Sequence, residues 1–267
     1  MTNRAPQLFE VTTIEGLTID DEASFRHVGL YVDLAEILKR AKYRFRILSG
    51  EASGRWDRAL FLNLTFWGAN AGGDVLVDRH LGADVVAHVA WHHLASAALS
   101  PAAGATPTAE ALFFGEAVAS AFDVYLVGRL LGHAPESSFL ETQVAAMADA
   151  AQSAGLSEAD FEQLLQDIAA EPERAFEDLR ALLFDATTAL LACANAEEAA
   201  VVLTRLDAHR FAPLLHHYEL SNWILYVRAY CPGALAHDPS VRAIDRALRE
   251  ADVAVDWLAR EWIAPRL

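Results

Sequence analysis

Three of the ten histidines fall within the short run from His88 to His93, in the stretch GADVVAHVAWHHLASAAL (82–99). On a helix, residues four apart stack on one face, so His88 and His92 can turn their imidazoles toward a single cation. His93 projects about 100° away from His92 and reads as structural or solvent-facing. Asp84 lies one turn before His88 on the same face, where a carboxylate can orient an imidazole by accepting its remaining N–H. Histidines at this spacing on an alanine-rich helix also occur with no chemical role, and the spacing alone does not separate the two cases.

A second set of polar residues interrupts apolar sequence further on. Glu116 lies between Phe114 and Val118 in FFGEAVASAFDVYLVGRLLG (113–132), and a carboxylate buried there needs a metal or an ion-pair partner. Arg79 and Arg129 are the ion-pair alternatives. Asp123, seven residues on, shares nearly the same helical face. His216, His217 and Glu219 in LLHHYELSNW form another polar cluster on an apolar helix, a weak signal by itself.

The run ADVVAHVAWHHLA resembles the active-site helix of the zincin metallopeptidases, which commonly read DVVAHELGHHLA around a His-Glu-x-x-His motif. The segment 113–132 is similar to the second helix of the glutamate-ligand branch, the gluzincins. The resemblance covers about fifty residues and implies a zinc site with His88, His92 and Glu116 as ligands. It also implies that the segment after Gly72 supplies the strand that precedes the histidine helix and borders a substrate cleft. Three positions depart from the family pattern. Val89 stands where the family carries its general-base glutamate, and Trp91 stands where it carries glycine. Ser120 occupies the place of a supporting aspartate, a role open to Asp123 instead. General-base catalysis is worth roughly 10²–10⁴ in rate, so a valine removes most peptidase activity unless another carboxylate reaches in. Glu110, Asp123 and Glu219 are the candidates for that substitution.

Several elements must position these groups. Residues 21–41 carry apolar side chains at helical spacing with acids leading and Lys39 and Arg40 trailing, which predicts an amphipathic helix. YRFRILSG (43–50) alternates and predicts a short strand. ALFLNLTFW (59–67) and DVLVDR (74–79) read as the two arms of a hairpin around GANAGG. From Leu81 onward the periodicity is helical, predicting helices over 82–99, 108–131, 136–153, 157–170, 172–194, 196–206, 207–229 and 239–262. Gly132 and Gly155 are stops, and Ser157, Pro172 and Ser240 are starts. The expected fold is mainly α (α+β), a small N-terminal sheet packed on the histidine helix. A soft boundary separates an α+β part (1–135) from an all-helical part (136–267) packed on it as one globular unit.

The chain has 267 residues, 54% of them hydrophobic, and roughly a fifth are alanine, ample apolar surface for a core rich in helix. With 21 Lys plus Arg against 37 Asp plus Glu, the formal net charge of −16 disfavours nucleic acid and anionic membrane surfaces as partners. Two cysteines at unrelated positions, Cys193 and Cys231, fit neither a disulfide scaffold nor a metal motif. No secretory signal opens the sequence, so the expectation is a cytoplasmic protein. Three functions compete: a zincin-like metalloprotein that has lost peptidase chemistry and acts through a protein or peptide partner, a zinc-dependent hydrolase with a substitute base, and a metal-free acidic helical interaction module. Val89 favours the first.

Overall fold

The computed structural model describes residues 9–50, 74–99, 107–230 and 237–267. It is mainly helical, 72% of the described residues, with a small β part at the N-terminus. Strand β1 (Phe9–Thr12) runs antiparallel to β3 (Phe45–Leu48), pairing Phe9 with Leu48, and β4 (Asp74–Leu76) adds to β3 in parallel, pairing Phe45 with Asp74. A separate parallel pair joins β2 (Thr18–Asp20) to β5 (His80–Gly82). The alternating segment at 43–50 therefore forms a strand as its pattern predicts. Residues 74–76 pair with that strand. The hairpin arm at 59–67 lies outside the described residues.

Helix α1 (Glu22–Phe25) and helix α2 (Gly29–Arg40) divide the single helix expected over 21–41. The break follows Phe25, where Val28 N–H donates to the Phe25 carbonyl and Val28 takes an extended conformation before Gly29. Helix α3 (Ala83–Leu99) and helix α4 (Ala109–Leu130) then follow. Thr108 caps α4 by accepting from Ala111 N–H at 3.1 Å, and Gly132 ends the turn beyond it at φ +82°, a conformation that favours glycine.

Five further helices follow among the described residues: α5 (Ser138–Ser153), α6 (Glu158–Ala170), α7 (Pro172–Ala192), α8 (Ala196–Leu206) and α9 (His217–Tyr230). The helix expected over 207–229 begins only at His217. Pro213 lacks an N–H and biases its predecessor away from the helical region, and residues Ala212–Leu214 form a short 3₁₀ turn instead. Helix α10 (Pro239–Glu250) is capped by Asp238, not started at Ser240, and ends before an extended Val253 that leads into α11 (Ala254–Leu258) and a π turn.

Helix α4 lies at the centre, buried on nearly every face and packed against α3, α7, α6, α5 and α10. By length and composition alone it could cross a membrane, but 83% of its apolar window is buried inside the protein, as expected of a central core helix. One apolar cluster runs from Ile14 and Phe25 through Trp91 and Phe122 to Leu258 and Ile263, drawing side chains from both sides of residue 135. Asp21 also crosses that line. Held at φ 60°, its carboxylate accepts from Ser137 and Ser138 Oγ and from Phe139 N–H at the start of α5.

Candidate metal centre

His88 and His92 project from consecutive turns of α3 toward Glu116 on α4, and the ligand atoms of the three all lie within 4.8 Å of one another. The close packing of α3 on α4 at this level depends on Gly115. A Cβ added there would meet Ala95 Cβ at 3.2 Å and would stand 4.0 Å from His92 Nδ1.

The atomic separations are of the order a small dication requires. His88 Nε2 and His92 Nε2 are 3.1 Å apart, His92 Nε2 and Glu116 Oε2 are 3.1 Å apart, and His88 Nε2 and Glu116 Oε1 are 3.8 Å apart. Tetrahedral zinc with ligands at 2.0–2.2 Å has ligand-to-ligand edges of about 3.3 Å. Glu116 Oε2 is buried and, apart from His92 Nε2 at 3.1 Å, has no polar partner among the described residues, so a cation can take up its lone pair. Glu116 Oε1 accepts from Ser120 Oγ at 3.3 Å. Burial pushes the Glu116 carboxyl up, but His92, His88 and Ser120 outweigh it and hold the group below its usual range.

The second nitrogen of His88 faces Asp123, with Nδ1 3.4 Å from Oδ2. A carboxylate in that place fixes the tautomer that leaves Nε2 free toward the metal position. Burial lowers the His88 pKa, yet Asp123 first, then Glu116 and Asp84, push it up to about 9. Asp84, expected to orient an imidazole, instead has its carboxylate at the N-terminus of α3, where it accepts from the Val85 N–H. Its field reaches His88; its hydrogen bonds do not.

Other expected partners resolve differently. Arg79 pairs with Glu10 and the Gly16 carbonyl, and Arg129 pairs with Glu173 and Tyr125, so neither neutralises Glu116. Glu110 is buried in a structural tie, accepting from Arg242, from the Asp238 N–H and from His237. That removes it from the candidate bases. Val89 and Trp91 are both buried in the core, Trp91 edge-on to Phe122 at 5.3 Å between ring centroids. His93 stands against Tyr43, rings 5.5 Å apart, away from the metal position.

The centre opens onto a cavity of about 370 Å³, to which His88, Glu116, Ser120 and Asp123 contribute one wall. Glu219 from α9 and His216 from the turn before it line the same cavity. The polar cluster at 216–219 thus reaches the site from more than ninety residues downstream, which no local spacing reveals. Strands β4 and β5, expected to border a cleft, contribute none of the lining. Glu219 has neither a hydrogen bond nor an ion pair among the described residues. Loss of hydration, then the Glu116 carboxylate, raise its pKa.

No protein-family model, no curated protein and no solved structure matches the chain.

Proposed function

We propose that the protein is a zincin-like metal-binding protein, holding one divalent ion through His88, His92 and Glu116, in which classical peptidase chemistry is lost. The observation that carries this reading is the gathering of the three ligand groups within 4.8 Å of one another, with Asp123 behind His88 and a buried Glu116 oxygen beside His92. Two imidazoles, one carboxylate and an open position suit zinc. When bound, the ion supplies Lewis acidity at that position. The chain's own residues do the rest: Asp123 orients His88 and Ser120 steadies Glu116. Val89 contributes no base, so the reading assigns the protein a binding or regulatory role toward a protein or peptide partner, in the cytoplasm.

A second reading, a zinc-dependent hydrolase with a substitute base, draws support from Glu219, a carboxylate that lines the same cavity as His88 and Glu116 and has no ion pair among the described residues. Metal analysis of the purified protein beside His88→Ala and Glu116→Ala tests both readings. About one equivalent of zinc in the parent and little in either variant is expected. A metal-free parent would overturn the metal site and leave the acidic helical interaction module.

A further inference from the structure

We propose that the cavity beside the metal centre binds a small cationic amphiphile, an alkyl or aralkyl primary amine, with its ammonium on Glu219 and its hydrocarbon against the apolar wall. The proposal rests on the metal reading for the charge count and on the cavity itself for everything else.

The shape and lining point to a small molecule. At about 370 Å³ the space lies at the lower end of ordinary ligand pockets, and its wall joins apolar side chains, among them Val124, Met147, Leu179, Leu183, Leu220 and Trp223, to a polar side of comparable extent. The apolar side stabilises hydrocarbon by about 25 cal/mol for each Å² removed from water. The polar end selects the head group. Glu116, Asp123 and Glu219 all line the cavity, and no lysine or arginine does so among the described residues. Histidines that ligate a metal do so neutral, so a bound dication leaves the three carboxylates one charge in excess. An anionic ligand meets that excess as repulsion; an ammonium relieves it and offers three donors to Glu219, a solvent-exposed carboxylate with no protein donor among the described residues.

Access has the same sign. A second, larger cavity of about 770 Å³ shares Ala146, Ala150, Leu215 and His216 with the first and carries Asp149 and Asp207 further out. Together with the chain's net charge of −16, this approach draws cations inward and repels anions.

Isothermal titration of the full-length protein with hexylamine, hexanol and hexanoate at one pH, on zinc-loaded and chelator-treated samples, provides the test. A charge-assisted hydrogen bond predicts hexylamine bound about tenfold or more above hexanol, with hexanoate weakest on the chelator-treated protein. Glu219→Gln is expected to abolish the preference for amine over alcohol, and Met147→Trp, which fills the cavity, to weaken both. Circular dichroism checks that each variant folds; if Glu219→Gln does not, Glu219→Asp, which retracts the carboxylate, reads the same contact. Hexanoate bound as tightly as hexylamine by chelator-treated protein, no binding of hexylamine, or amine binding untouched by both variants would overturn the proposal. The zinc content of the same samples reports separately on the metal site, because the ammonium contact is to Glu219 and persists in the chelated protein.

Discussion

His88 Nδ1 stands 3.4 Å from Asp123 Oδ2 while its Nε2 stands 3.1 Å from His92 Nε2, so one imidazole spans the carboxylate behind it and the ligand beside it. Asp123→Asn keeps the shape but removes the charge that holds the tautomer. Zinc affinity is expected to fall by about 10–100-fold, read by competition with a chromophoric chelator. Unchanged affinity would remove Asp123 from the centre.

The same ring sets a pH dependence. In the metal-free protein the folded pKa of His88, pushed up to about 9 by Asp123 against the opposing effect of burial, exceeds the ordinary value. Its contribution to stability is therefore fully present below about pH 6.5 and is lost as pH rises through about 9. Zinc must displace that proton, so zinc affinity should rise over the same interval. Thermal melts of chelator-treated protein and zinc titrations across pH 6 to 9 measure the two opposite trends.

Two glycines separate fold from site. At Gly128 an added Cβ would meet the Ile168 carbonyl oxygen at 2.6 Å and Pro172 Cβ at 2.8 Å, so Gly128→Ala should cost about 1–3 kcal/mol of stability through overpacking. Gly115→Ala meets only Ala95 at 3.2 Å, a milder clash of about 1 kcal/mol that moves Glu116 relative to His92. Denaturant unfolding should rank Gly128→Ala as the less stable variant, and zinc titration should rank Gly115→Ala as the weaker binder.

Asp21 ties β2 and α1 to the start of α5. Burial raises its pKa, but hydrogen bonds from Ser137, Ser24 and the Phe139 N–H outweigh that and depress it. The stability it adds is present above the unfolded value near 3.8 and is lost as pH falls toward the lower folded value. Asp21→Ala should lower stability by about 1–3 kcal/mol at neutral pH, and acid titration of wild type against variant should show the gap closing.

Val89→Glu examines the missing base. If only the glutamate separates this centre from a peptidase, zinc-loaded Val89→Glu hydrolyses members of a broad peptide panel that the parent leaves intact. A zinc-bound but inactive variant would show that more than a base has been lost, Trp91 being the first place to look.

Much of this was legible in the sequence, because helix periodicity is a local property. The i, i+4 pair on α3, Glu116 isolated in an apolar run and Asp123 on its face all follow from spacing within single helices. What was hidden depends on tertiary contact. Asp84 sits on the predicted face, yet the unsatisfied N–H groups at the start of α3 capture its carboxylate. Glu110 reads as a free acid until α10 brings Arg242 onto it. The strands β1 and β2, four and three residues long, are defined by pairing with β3 and β5, partners distant in sequence, and Glu219 reaches the cavity only because α9 packs against α7.

All three ligands sit on α3 and α4, which are consecutive in the sequence and packed directly on each other. Neighbours in sequence meet at a low loop-closure cost, so this pair is expected to form early in folding, before the distant helices dock. Metal capture would then precede completion of the native core. The ion would guide assembly of the central helix pair, and the order of metal addition and refolding would govern the yield of native protein.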